Sequence, residues 1–100
     1  MIQLKIHKDG TTGLVAVCDA CQKTVMAAQA NLLWTPGTTD EPTDCMKYRI
    51  ACKGKCTHFF DTQFGHQWSQ DLDTAIGYLI NNTKTNIKSA RRKMELLAWL

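Results

Sequence analysis

Two close cysteine pairs, Cys18 with Cys21 and Cys52 with Cys56, restrict what this chain can fold into more than any other feature. There are five cysteines in all, an odd number that cannot pair off internally as disulfides. The two pairs are flanked by polar Asp19, Gln22, Lys53 and Lys55, which makes them poor candidates for buried small hydrophobes. A Cys-x-x-Cys turn lets two thiolates converge on one ion. The segment Cys52-Lys53-Gly54-Lys55-Cys56 supplies two more thiols across a glycine-containing turn. The expectation is therefore one structural Zn²⁺ held tetrahedrally by Cys18, Cys21, Cys52 and Cys56. A thioredoxin-like redox role for Cys18 and Cys21 fits less well, because such motifs open a helix in a βαβ context and no helix pattern follows Cys21.

Two residues stand as alternative ligands. His58 lies just beyond Cys56, and imidazole binds zinc as readily as thiolate. Cys45 is the unpaired thiol, and the carboxylate of neighbouring Asp44 disfavours its thiolate. His7 and His66 have no ligand-like neighbours in sequence.

A chain of 100 residues corresponds to one small domain whose apolar core alone gives marginal stability, so a metal staple would matter. The formal charge of +3 counts the thiols as neutral. Four thiolates around one Zn²⁺ add about −2 and leave about +1, so the basic balance is no strong signal for polyanions.

Alternation over Ile2–Ile6 and the apolar run Leu14, Val15, Ala16 and Val17 within residues 13–18, with the turn residues Asp9-Gly10 between them, predict a β-hairpin leading into Cys18. Residues 24–34 fit either strands or a short helix, toward which Ala27, Ala28 and Ala30 pull; a strand is expected over Ala30–Trp34, a loop over the proline-containing residues 35–44, and a strand over 45–51 that delivers Cys52. From Ser69, read as an N-cap, Leu72, Ala75, Ile76, Leu79 and Ile80 repeat at helical spacing. Asp71 and Asp73 suit the positive end of that helix, and Asn81-Asn82 suits its end. A second helix is expected over 86–100; a single bent helix from Ser69 is the alternative, since Thr83-Lys84-Thr85 contains no breaker.

The strand, the CxxC, a strand ending in Leu33-Trp34 and the Cys52-Lys53-Gly54-x-Cys56 segment resemble zinc ribbons over roughly residues 2–60, and most narrowly short bacterial zinc-ribbon proteins without an assigned reaction. In zinc ribbons a knuckle on one β-hairpin faces a second ligand pair on another. This chain differs from that pattern in two places: Gln22 stands where glycine often follows the second cysteine, and the second pair has x3 spacing. A treble-clef arrangement, with the last ligands on the first turn of a helix, is the competing layout, but Gly54 and Gly65 argue against a long helix there.

The fold expected is thus α+β: a zinc-ribbon-like β domain of antiparallel hairpins over residues 1–68, with a C-terminal helical segment, 69–100, packed on it through Leu72, Ile76, Leu79 and Ile80. No HExxH, P-loop, deaminase or dinucleotide motif occurs, and four thiolates leave no open metal position, so a non-enzymatic binding role is expected. Met94, Leu96, Leu97, Trp99 and Leu100 form a terminal apolar cluster that suggests a protein partner or self-association through the C-terminal helix. Lys84, Lys88, Arg91, Arg92 and Lys93, with Phe59, Phe60, Phe64 and Trp68 as stacking candidates, make nucleic acid the alternative partner. The absence of a signal-peptide pattern and of a membrane-length apolar run, together with the cysteine usage, predicts a cytoplasmic protein with no membrane partner.

Overall fold

The computed structural model describes residues 1–6, 8–10, 12–34, 48–65 and 67–96. The predicted 35–44 loop, Cys45 with the start of its strand, His7, His66 and the tail residues Leu97, Trp99 and Leu100 lie outside the described residues. The described chain forms two three-stranded antiparallel sheets and three helices, an α+β fold with a helical C-terminal segment.

The first sheet contains β1 (Ile2–Ile6), β2 (Thr12–Val17) and β3 (Thr24–Val25) in that spatial order. In the second, β4 (Ala30–Trp34) lies between β5 (Tyr48–Cys52) and β6 (Trp68–Asp71). The helices are α1 (Lys55–Phe64), α2 (Leu72–Asn82) and α3 (Ile87–Leu96).

Residues opposite one another in an antiparallel ladder share a face, so the β4–β5 register sorts the core into two halves. Leu33 and Ala51 face α1 and are buried with Cys18 and Phe60. Ala30 and Ile50 face the other way and are buried with Leu72, the first residue of α2. The second sheet is therefore covered by α1 on one face and by the start of α2 on the other. Arg49 on β5 holds α1 from the sheet side, its guanidinium 4.0 Å from the Phe64 ring centre and 5.5 Å from that of Phe60.

Helix α1 departs from the reading of Gly54 and Gly65 as breakers. Both glycines are at positive φ, 82° and 77°, and they bracket the helix as its N- and C-terminal caps. Glycine weakens a helix only from inside it, and neither residue is inside. The start of α2 also shifts. Ser69 lies in β6 opposite Leu33, and Asp71 takes the N-cap position, with Asp73 in the first turn.

Helices α2 and α3 are separate. Lys84 adopts φ 55°, Thr85 N–H donates to Ile80 O at 3.1 Å and Lys84 N–H to Asn81 O at 3.2 Å, which together make a Schellman ending. Asn86 then caps α3 by accepting the Ser89 N–H at its Oδ1, 3.0 Å away. A left-handed residue followed two positions later by a new N-cap excludes one continuous helix.

Cover on the apolar faces falls short of the expectation. Of Leu72, Ile76, Leu79 and Ile80 only Leu72 is buried; Ile80 is half-buried, and Ile76 and Leu79 are exposed. Every residue of β1 is exposed as well, including the alternating Ile2, Leu4 and Ile6. Period predicts that a face is apolar, not that the same chain covers it.

Candidate metal centre

Two junctions place the four paired cysteines. Cys18 follows β2 and is fully buried (0% exposed), and Cys21 ends the following turn at the surface. Cys52 is the last residue of β5, and Cys56 sits in the first turn of α1. The four Sγ atoms all lie within 4.8 Å of one another.

Backbone hydrogen bonds shape the first turn. Cys18 N–H donates to Lys23 O and Gln22 N–H to Cys18 O, both at 2.9 Å. Asp19 sutures this turn to β5: its N–H donates to Ile50 O at 2.7 Å, while its carboxylate accepts the Ile50 N–H at 2.8 Å. On the other side, the Thr57 hydroxyl donates to Cys52 O at 2.9 Å and lies 3.3 Å from the Asn31 amide, which fixes the first turn of α1 over the strand end.

Gln22 explains one departure from the zinc-ribbon pattern. It occupies the left-handed region at φ 63°, the conformation for which glycine is favoured after a knuckle's second cysteine. A side chain there costs about 1–2 kcal/mol, partly offset by the bond from Gln22 Nε2 to Asp19 O at 3.0 Å. Gln22→Gly is expected to raise stability by about 0.5–1 kcal/mol, after allowing for the greater freedom glycine gives the unfolded chain. Chemical denaturation of the metal-loaded protein checks it; an unchanged or lower midpoint would show that the turn carries no strain.

The donor set fits a tetrahedral thiophilic ion. With metal–sulfur bonds of about 2.3 Å, a tetrahedron sets its sulfurs about 3.8 Å apart. The Cys21 and Cys52 sulfurs are 3.8 Å apart, far beyond the roughly 2.05 Å of a disulfide. Cys18 Sγ also accepts the backbone N–H groups of Cys21 and Cys52, each at 3.5 Å, an arrangement that stabilises a thiolate.

The thiols titrate unequally. Burial raises the pKa of Cys18, but the N–H groups of Cys21, Cys52 and Ala20 and the Cys21 thiol outweigh it and bring the group from 9.0 to about 6. Burial, then the neighbouring Cys18 and Cys21 sulfurs, push Cys52 up to about 12 and shift Cys56 upward for the same reasons. Without a cation, the cluster holds its charge mainly on the buried inner sulfur.

Among the described residues, the four cysteines are the gathered donors, and exposed His58 on α1 is not with them. Lys53 Nζ pairs with Asp71 at 3.1 Å. Lys55 does lie beside the cluster, in a cleft of about 450 Å³ lined also by Cys21, Lys23, Cys52 and Phe59. Sequence reasoning missed Lys23, although its position two residues after Cys21 was the available signal. No described helix is long and apolar enough to cross a membrane.

No protein-family model, curated protein or solved structure matches the chain significantly.

Proposed function

We propose that this chain is a structural zinc-binding module whose work is to bind another protein, with Cys56 on the first turn of α1 giving its second ligand pair the treble-clef layout rather than that of a second ribbon hairpin. The observation that carries the metal reading is the set of four Sγ atoms within 4.8 Å of one another, drawn from two separate parts of the chain. Zinc suits an all-thiolate tetrahedral set, and four thiolates leave no open position for a substrate, which supports binding over catalysis. Zinc held there joins the turn after β2 to the β5–α1 junction, and the faces of α2 and α3 that the described residues leave uncovered can contact a partner.

Exposure of Lys84, Lys88, Arg91, Arg92 and Lys93 favours nucleic acid as a second reading. The aromatic side chains offer it less. Phe59, Phe64 and Trp68 are exposed, but Phe60 is buried, Phe64 carries Arg49, and Trp68 meets Trp34 edge-on with ring centres 6.2 Å apart. Salt separates the two readings, because nucleic-acid affinity falls steeply with ionic strength and apolar association changes little.

Native mass spectrometry tests the metal reading. One zinc per chain is expected, and a metal-free chain that unfolds cooperatively at neutral pH would sink it.

A further inference from the structure

Among the described residues, two apolar surfaces of one chain lie uncovered. The first is a groove of about 470 Å³ whose lining includes Ile2, Leu32, Ile50, Leu72, Ile76 and Leu79. Its floor is built by buried Ile50 and Leu72, while Ile76 and Leu79 on its wall are 39% and 62% exposed. The second surface is a stripe on α3, where Ile87, Ala90 and Met94 recur at i, i+3 and i+7. Ile87 is 56% and Met94 41% exposed, and α3 buries none of its described side chains.

The described residues of one chain do not bring the two together. No α3 residue lines the groove. The corner between α2 and α3 is set on one side by the Schellman bonds and on the other by the Asn86 cap, so its direction is fixed by hydrogen bonds.

Charge favours the union in trans. Helix α2 carries Asp73 and no cation, and its N-cap Asp71 already pairs with Lys53, so Asp73 is the acidic charge it offers a second chain. The α3 stripe is flanked at helical spacing by Arg91 on one side and Lys93 on the other. An α3 laid antiparallel along α2 brings Arg92 and Lys93 toward the first turn of α2 and opposes the two helix dipoles.

We propose that α3 of one chain docks antiparallel along α2 in the groove of a second copy, and that the second copy returns its own α3 in the same way. The proposal rests on the interaction-module reading above. Reciprocal exchange gives a two-fold, self-complementary interface that fills both grooves and closes at a dimer.

Sedimentation velocity of the zinc-loaded full chain over a concentration series tests it, beside Leu79→Glu and Met94→Glu. Both side chains are exposed in the monomer, so each variant should retain its helicity and its zinc. The full chain should pass from monomer to dimer, and either substitution should weaken the dimer by at least about thirty-fold, because it places a carboxylate in an apolar contact. A photo-reactive residue at position 94 in a mixture of isotopically heavy and light chains should cross-link to α2 of the other chain.

A dimer undisturbed by both substitutions, or cross-links confined to single chains, would overturn the proposal. Zinc content of the same samples keeps the two readings apart: a zinc-loaded monomer at the highest attainable concentration overturns the dimer alone, and a dimer without zinc overturns only the metal centre.

Discussion

Cys18→Ser is expected to abolish metal binding and cooperative folding together. The residue is fully buried, its sulfur accepts two backbone N–H groups, and it packs with Leu33, Ala51 and Phe60 in the core half that faces α1. A serine hydroxyl can take over the hydrogen bonds but does not ionise to a ligand at neutral pH. Structural zinc binds small domains with an apparent free energy of about 10–16 kcal/mol. The whole stability of a domain is about 5–15 kcal/mol. The loss is thus comparable to everything that holds the fold. Metal analysis and thermal circular dichroism measure the two effects on one sample. Cys45→Ser serves as the control and should retain both metal and transition. A metal-free Cys18→Ser protein that still melts cooperatively would show that the core stands without the ion.

Acid is the second large effect, and its sign follows from the thiols. In the metal-free cluster Cys52 is pushed up to about 12 and Cys56 is raised, so at neutral pH both carry protons that a metal must displace. Cys18, at about 6, joins them only in more acidic solution. Displacing at least two protons makes apparent zinc affinity fall by at least about a hundredfold per pH unit around neutrality, and more steeply below about pH 6. The metal-loaded fold holds thiolates that titrate near 9.0 when released. Its stability is therefore present in full above that value and is lost as pH falls. Competition with a chromophoric chelator between pH 6 and 8 reads the slope, and circular dichroism in parallel reads the unfolding. An affinity independent of pH would remove the thiols from the ligand set.

Much of this arrangement was legible in the residues. The spacing of Cys18, Cys21, Cys52 and Cys56 indicated a shared site, and the structure gathers those four sulfurs. The strands expected over Ile2–Ile6, around Leu14 to Val17 and over Ala30–Trp34 are present as β1, β2 and β4, and the alternating strand expected before Cys52 is present as β5. The helical repeat from Leu72 and the ending at Asn82 are also present. Helix α1 was hidden because its ten residues lie between two glycines that read as interruptions until their positions at its ends are known. Strand β6 was hidden for a different reason: the partners of Trp68 and Ser69 are Trp34 and Leu33, and pairing between segments so far apart leaves no local pattern. Burial was the least legible property. The repeat in α2 marks an apolar face, but whether Ile76 and Leu79 find cover depends on what stands opposite them in space.

The split origin of the cysteines also sets an order of assembly. Cys18 and Cys21 are three residues apart, whereas Cys21 and Cys52 are separated by 31. Each local pair can grip a cation while the rest of the chain is still open, so the slow event is the meeting of the two half-sites. A half-loaded open chain competes with the folded one for zinc, so added metal stabilises the fold by less than its affinity for the finished site would suggest. The same geometry that makes the site easy to recognise in the sequence gives the unfolded chain a share of the ion.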